Sequence, residues 1–254
     1  MSKTQSLIFL SLLTVIFIAW LYLFHQHWQM TSLPMSDMWM PPSEVSAWQA
    51  KDFALVYLMW AVMMAAMMLP TAMPMILVFT RICQHRNSAY PLMVVSFVLA
   101  YLLVWFIFSI LLSLLQWQMH GLHLLSPMMD NQSVNLAAAI FLLAGVYQFT
   151  PLKNTFLQYC RTPMGFLLTE WRDGAGGSFY MGLKHGMVCL GCCWLQMLIM
   201  FAVGVMNLLG MAFITLLVML EKMAPFKRQL ISRFIGMLFI SWGIWLLQFG
   251  REVV

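Results

Sequence analysis

Seven apolar runs, each close to the length that crosses a membrane, constrain this chain more than any other feature. They lie at 6–24, 53–79, 91–115, 134–150, 180–203, 207–221 and 230–249. A helix needs about 20 apolar residues to cross the roughly 30 Å hydrocarbon core of a bilayer. The fourth and sixth runs are short for this purpose. We expect an all-α, polytopic transmembrane bundle of about seven helices, with six as the alternative, whose surroundings are the lipid bilayer.

The overall composition excludes several classes of soluble protein. Of the 254 residues, 63% are hydrophobic and 8% are charged, whereas a soluble domain has roughly 25% charged residues. Basic residues are few and scattered, so a nucleic-acid partner is not expected. The five cysteines lie in apolar surroundings rather than in a disulfide framework. The first run lacks a small-residue cleavage site and is interpreted as a membrane anchor rather than a signal peptide.

The basic residues indicate how the chain is oriented. With a cytoplasmic N-terminus, ten of the thirteen fall on the inner side: Lys3, Arg81, Arg86, Lys153, Arg161, Arg172, Lys222, Lys227, Arg228 and Arg233. Only Lys51 and Arg251 fall on the outer side, which matches the positive-inside rule. The sizeable segments outside the bilayer are then an outer loop at 25–52 and an inner loop at 151–178. We therefore expect a single membrane domain over residues 1–254.

The fifth run carries the densest group of reactive side chains. At 100° per residue, one arc of roughly 100° on a helix holds an imidazole, three thiols, an amide and a thioether. These are His185, Cys189, Cys192, Cys193, Gln196 and Met200. Soft sulfur ligands select Cu(I), and zinc where a tetrahedral set is completed from elsewhere. Gly182, Gly186 and Gly191 are expected to let another helix approach closely.

Other interpretations of the same residues remain open. Membrane cysteines are often small apolar packing residues. Cys189 and Cys192 also form a C-x-x-C pair, which is typical of thiol oxidoreductases. Such an enzyme needs a reversible disulfide and no metal. No nucleophile–base–acid constellation and no phosphate-binding glycine loop is evident, so an enzyme is otherwise not expected.

Methionines supply a second group of soft ligands. The chain has 26 of them, and five lie on two adjacent faces of the second predicted helix: Met59, Met63 and Met67 on one, Met64 and Met68 on the other. A methionine stripe is also common in ordinary cores. Met67 lies about 20 Å from the outer end of its helix and Cys189 roughly 14 Å from the inner end of the fifth, so both sit at similar depth. Pro70 and Pro74 predict that the second helix is kinked or partly unwound.

The predicted outer loop is rich in the same ligand types. It carries His25, His27, Met30, Met35, Met38 and Met40. A methionine in a loop has little packing role, so we interpret these residues as a capture segment for a soft metal. Together with the methionines of the second helix, they outline a path from the outer side towards the fifth helix.

Three sequence strings resemble a bacterial inner-membrane family of predicted metal-binding integral membrane proteins. They are WAVMMAAMMLPTAMPM at 60–75, HGMVCLGCCW at 185–194 and GVMNLLGMAFITLLVMLEKMAP at 204–225. The matching positions are Met64, Met67, Met68, Pro70, Pro74, His185, Cys189, Cys192, Cys193, Trp194, Met206, Asn207, Met211, Glu221 and Lys222. The resemblance implies a location in the bacterial inner membrane, and some members of the family are described as copper chaperones. Glu221 and Lys222 are interpreted as an ion pair at the membrane interface.

These observations favour a membrane-embedded protein that binds a soft metal, most simply Cu(I), in acquisition, transfer or transport. Zinc is the alternative metal. The expected partners are a periplasmic metal chaperone or a metalloenzyme under assembly. A thiol oxidoreductase that uses Cys189 and Cys192, and a purely structural or assembly subunit, are the alternatives.

Overall fold

The computed structural model describes residues 3–32, 39–42, 47–86, 90–126, 128–223 and 228–250. These residues form helices and no strand. The helices are α1 (Lys3–Ser32), α2 (Ala50–Arg86), α3 (Tyr90–Gly121), α4 (Val134–Tyr147), α5 (Pro151–Arg161), α6 (Pro163–Glu170), α7 (Gly174–Val203), α8 (Leu208–Met223) and α9 (Arg228–Phe249). The all-α prediction is therefore confirmed.

Each of the seven apolar runs corresponds to one helix, namely α1 to α4 and α7 to α9. Within the described ranges, five of these helices are long and apolar enough to cross a membrane: α1, α2, α3, α7 and α9. The pair formed by α4 and α5 becomes a sixth candidate if its bend of 68° is a break within one span. Helix α8 has only 16 residues. The segment predicted as an inner loop instead contains α5 and α6.

Helix α7 is the centre of the bundle, and its glycines determine which helices touch it. It packs against α3, α4 and α5. A Cβ placed on Gly182 would lie 2.9 Å from the Cβ of Ala100, and a Cβ on Gly191 would lie 2.8 Å from the ring of Phe156. Gly186 faces α3 in the same way. The predicted close approach is confirmed, and it involves α3 on one side of α7 and α5 on another.

Of the two predicted alternatives, kinked or partly unwound at Pro70 and Pro74, the second is wrong, because α2 is continuous through both prolines. Pro70 has no amide hydrogen and cannot donate to the carbonyl of Ala66, four residues earlier. The indole Nε1 of Trp20 in α1 donates to that carbonyl at 3.2 Å. A tertiary hydrogen bond thus satisfies a backbone acceptor that the proline leaves without its helical donor.

Candidate metal centre

The three thiols of α7 lie together on its buried face, as the helical spacing predicts. Cys189, Cys192 and Cys193 are all free and almost fully buried. The thiols of Cys192 and Cys193 both donate to the carbonyl of Cys189, at 3.1 and 3.0 Å. Because the two sulfurs touch one oxygen atom, they are at most about 6 Å apart.

Sulfur atoms from two other helices contact this group. The Cys193 thiol points at the Met68 Sδ of α2, 4.0 Å away. The Cys160 Sγ of α5 lies 3.9 Å from the Cys192 Sγ. With a metal–sulfur bond of about 2.3 Å, two sulfurs on one ion lie roughly 3.8 Å apart at a tetrahedral angle and about 4.6 Å apart in a linear arrangement. Both observed separations fall in this range.

Cys189 has polar partners of a different kind. The Lys222 Nζ of α8 donates to the Cys189 Sγ at 2.9 Å and to the Thr71 hydroxyl at 3.0 Å. The Tyr101 hydroxyl of α3 lies 3.2 Å from the same sulfur. The prediction of an interfacial pair between Glu221 and Lys222 is wrong, because the two side chains point to different partners. Lys222 instead brings a positive charge to the thiol cluster.

Glu221 belongs to a buried polar network that ties three helices together. Its carboxylate pairs with Lys153 of α5 at 2.9 Å, and the two side chains are 2% and 0% exposed. Gln196 of α7 donates to the same carboxylate oxygen at 3.1 Å and accepts from Lys153 at 3.4 Å. Arg161 donates to the Glu221 backbone carbonyl. Lys153 was predicted to be a cytoplasmic surface charge, and it is an interior one.

His185 lies beside the thiols in an aromatic enclosure. Its ring is 5.7 Å from that of Tyr101, 5.9 Å from that of Phe97 and 5.6 Å from that of Phe166. Its Nδ1 is buried and has no hydrogen-bond partner among the described residues. An imidazole nitrogen in this state is available as a ligand, since burial without a partner is unfavourable for a polar atom.

A cavity of about 190 Å³ adjoins the cluster. It lies at the predicted cytoplasmic end of the bundle. Its lining comes from α2, the α5–α6 region, α7 and α8: Thr71, Pro74, Met75, Cys160, Arg161, Pro163, His185, Lys222 and Met223. The cavity therefore reaches both an imidazole and a thiol of the centre.

The other predicted methionine ligands are buried residues of α2 and α7. Trp60 packs on Phe201 with ring centroids 5.0 Å apart, and Met68 faces Cys193. The two helices therefore run antiparallel, and Met59 is about 13 Å along α2 from Met68. The five predicted methionine ligands other than Met68 are all buried: Met59, Met63, Met64, Met67 and Met200. Of the six predicted methionine ligands here, only Met68 has a recorded contact with a thiol.

The predicted capture segment is only partly a loop. Helix α1 continues to Ser32, so His25, His27 and Met30 lie on its last turns. The His27 Nδ1 is 3.2 Å from the Met206 carbonyl, and Met30 packs against the core. The expectation that Met30 has no packing role is therefore wrong. Met40 is half-buried, and Met35 and Met38 lie outside the described residues.

Sequence reasoning missed three residues of the centre: Cys160, Lys222 and Tyr101. Cys160 is separated from Cys192 by 32 positions, and Tyr101 from Cys189 by 88. Contacts between residues so far apart in the chain cannot be inferred from the spacing of neighbouring residues. For Lys222 the sequence did contain an indication. A lysine beside a glutamate at the end of an apolar helix can pair with a group inside the bundle.

Cysteine and histidine are ligand types that zinc accepts, but among the described residues they do not form the set of three or four that a zinc site uses. In the described ranges, no group of three or more His, Cys, Asp and Glu side chains is arranged to hold one ion. The sulfur pairs at about 4 Å instead join one cysteine to a methionine and one cysteine to a cysteine. Such two-sulfur sites suit a soft monovalent ion better than a divalent ion that needs four ligands.

Comparison with known proteins identifies a similarity to one protein family. The model of the PpoB2 family, which is described as copper chaperone, matches residues 57–246. The match includes α3 to α8 and all four cysteines of the centre. No curated protein and no solved structure matches the chain.

Proposed function

The chain belongs to the PpoB2 copper chaperone family, and on this premise we propose that it binds Cu(I) within a membrane and passes it on. The binding residues that we propose are Cys189, Cys192, Cys193 and Met68, with His185 as an additional nitrogen ligand. The bundle is embedded in a bacterial inner membrane with its N-terminus in the cytoplasm. This assignment keeps the metal away from water, where free Cu(I) is reactive.

One observation carries the proposal: sulfur atoms of α2, α5 and α7 approach one another in pairs whose separations suit two ligands of one soft ion. The Cys193–Met68 and Cys160–Cys192 pairs are 4.0 and 3.9 Å apart. Simple apolar packing does not require several sulfurs at these distances. Thiolate and thioether ligands favour Cu(I) among the biological metals, so copper is proposed ahead of zinc.

The positive charge of Lys222 supports the same assignment. A Cu(I) ion held by two thiolates carries a net charge of −1, and an uncompensated charge in a low-dielectric interior is unfavourable. The Lys222 ammonium lies 2.9 Å from the Cys189 sulfur, so it can balance that charge. We propose that Lys222 is an electrostatic partner of the loaded centre rather than a ligand.

The buried methionines of α2 and α7 supply a route to the centre in this proposal. They are buried residues spaced along the two antiparallel helices, between the level of Met59 and Met200 and that of Met68. His25, His27 and Met40 are the described residues proposed for capture at the outer end. Thioethers bind Cu(I) without a change in their own charge, so successive exchange between them needs no proton transfer.

The test is the copper content of the purified full-length protein. The wild type, prepared in detergent under reducing conditions, is expected to retain copper on elemental analysis, and the Cys189→Ser/Cys192→Ser variant is expected to lose it. Cys83→Ser is the matched control, because Cys83 is a buried free thiol of α2 without a recorded contact with the cluster. A wild type without copper, or a double variant with unchanged copper, would overturn the proposal.

Transfer and transport are distinguished by a second measurement. A transporter moves copper across the membrane of sealed proteoliposomes, whereas a chaperone holds it and delivers it to an acceptor. We propose delivery, in which a periplasmic metal chaperone supplies copper at the outer end and a metalloenzyme under assembly receives it through the cavity at the predicted cytoplasmic end. Accumulation of copper inside the vesicles would favour transport instead.

A thiol oxidoreductase is the second candidate, and the 3.9 Å separation of Cys160 and Cys192 is the observation that favours it. It predicts a reversible disulfide that appears as a shift in alkylation between oxidised and reduced samples. The C-x-x-C pair of Cys189 and Cys192 is less suited to forming this disulfide, because the Cys192 thiol points at the Cys189 backbone carbonyl, to which it donates.

A further inference from the structure

Cys160 occupies a different position from the other thiols of the centre. Cys189, Cys192 and Cys193 are almost fully buried, whereas Cys160 is half-buried. It also lines the 190 Å³ cavity, and none of the other three does. Its sulfur lies 3.9 Å from that of Cys192. Cys160 is thus the thiol that touches both the buried sulfurs and the cavity.

Helix α5 is held so that this position is fixed. Lys153, Leu157 and Cys160 follow one another at helical spacing on one face, and the first two are buried. Lys153 is anchored by Glu221 at 2.9 Å. The absence of a side chain on Gly191 lets the Phe156 ring approach α7. Two separate contacts therefore set the distance between the Cys160 and Cys192 sulfurs.

The cavity has the size and charge to admit one small anionic ligand. A volume of about 190 Å³ equals that of roughly six water molecules in the liquid, which suits one side chain and not a folded domain. Arg161 and Lys222 line it along with His185. These residues favour an incoming group with negative charge, and a thiolate is the anionic ligand that also binds Cu(I).

We propose that Cys160 is the exchange thiol of the centre, through which Cu(I) passes between the buried sulfurs and an acceptor thiolate in the cavity. This proposal rests on the proposed copper function. In the first step the Cys160 sulfur bonds to Cu(I), the bond between Cu(I) and the Cys192 thiolate breaks, and the proton that Cys160 loses is taken up by the Cys192 sulfur. In the second step the acceptor thiolate bonds to Cu(I), the bond between Cys160 and Cu(I) breaks, and Cys160 takes up the proton that the acceptor thiol released on forming its thiolate. Copper remains Cu(I), so no electron is transferred.

The test uses the full-length protein loaded with Cu(I) under anaerobic conditions. Glutathione serves as the acceptor, since this tripeptide has a net negative charge at neutral pH and presents its thiol on a single cysteine side chain. Cys160→Ser is expected to retain the wild-type copper content but to release copper about tenfold more slowly, the lower end of the cost of removing a group that supports a metal site. Cys83→Ser is expected to release copper at the wild-type rate.

Three outcomes overturn this proposal, and each has a separate meaning. Equal release rates in Cys160→Ser and the wild type show that copper leaves by another route. Loss of copper from Cys160→Ser before glutathione is added shows that Cys160 is a resident ligand. A wild type that holds no copper removes the proposed function as well.

A labelling measurement on the wild type keeps the proposal testable if Cys160→Ser does not fold. A small, charged thiol reagent is expected to modify Cys160 first, while Cys83, which is fully buried, remains unmodified. Modification identified by peptide mass spectrometry at Cys189 or Cys192 before Cys160 would contradict the role of Cys160. Gly191→Ala is a second variant, expected to slow release because its methyl group displaces the Phe156 ring.

Discussion

Replacing Lys153 with methionine should destabilise the bundle strongly, because it removes one partner of a buried ion pair. Glu221 is 2% exposed, and its second oxygen, Oε1, has no hydrogen-bond partner among the described residues. Without Lys153, the carboxylate retains the Gln196 amide as its side-chain donor. Breaking a buried pair in this way costs about 3–5 kcal/mol. The folded-to-unfolded ratio should fall by roughly a hundredfold to several thousandfold.

The chain contains a matched control for this experiment. Lys184 pairs with Glu170, but these side chains are 40% and 23% exposed, so Lys184→Met should cost about 0–1 kcal/mol. Both variants replace a lysine of a Lys–Glu pair with the same residue. The measurement is the free energy of unfolding of the purified protein in mixed detergent micelles. Equal losses in the two variants would refute the reasoning.

A double variant separates charge from packing. Lys153→Met with Glu221→Leu removes both charges and leaves apolar side chains of similar volume. Replacing a buried pair by packed apolar residues is often neutral or stabilising, so the double variant should be more stable than Lys153→Met alone. A double variant that is less stable than the single one would show that shape, not charge, determines the loss.

Two further predictions concern α7 and the centre. Gly182→Ala should lower the free energy of unfolding by about 1–3 kcal/mol or more, since its methyl group would overlap the Phe97 backbone carbonyl oxygen and lie 2.9 Å from the Ala100 Cβ, and overpacking costs at least this much. Gly176→Ala has open space around it and should lower stability by less than about 0.5 kcal/mol or raise it; equal losses in chemical unfolding would contradict this interpretation. Lys222→Met should lower the copper content of the purified protein, because it removes the positive charge beside Cys189. Lys222→Arg keeps that charge and should retain more copper. Equal copper content of the wild type and Lys222→Met in elemental analysis would exclude the proposed charge balance.

The seven apolar helices could be predicted from the sequence, because the length of an apolar run and the helical spacing of its residues are local properties. The shared face of Cys189, Cys192 and Cys193 follows from 100° per residue alone. The end of α1 was predicted too early, since the polar residues after residue 24 do not break a helix. It extends as far as Ser32, and the next residues lie outside the described ranges.

The rest of the centre could not be predicted because it depends on which helices touch. In the sequence, Lys153 cannot be distinguished from an ordinary cytoplasmic lysine, because its burial depends on the packing of α5 against α7 and α8. Only then does Glu221 become its partner, which leaves Lys222 to turn towards Cys189. The charge counts that predicted orientation treat all lysines alike. Of the ten inner charges, Lys153 is fully buried and Lys222 is half-buried beside Cys189, so both have structural partners that a charge count does not reveal.

The hydrogen bond from Trp20 to Ala66 has a consequence for how α1 is attached. Helix α1 buries a small part of its surface, and an apolar helix on an apolar surface can slide or rotate with little change in energy. A directional bond to one particular carbonyl allows a single rotation and a single height. Pro70 creates that acceptor by withholding its own donor. Pro70 therefore helps to specify where α1 docks on α2, and the helix that carries it remains continuous.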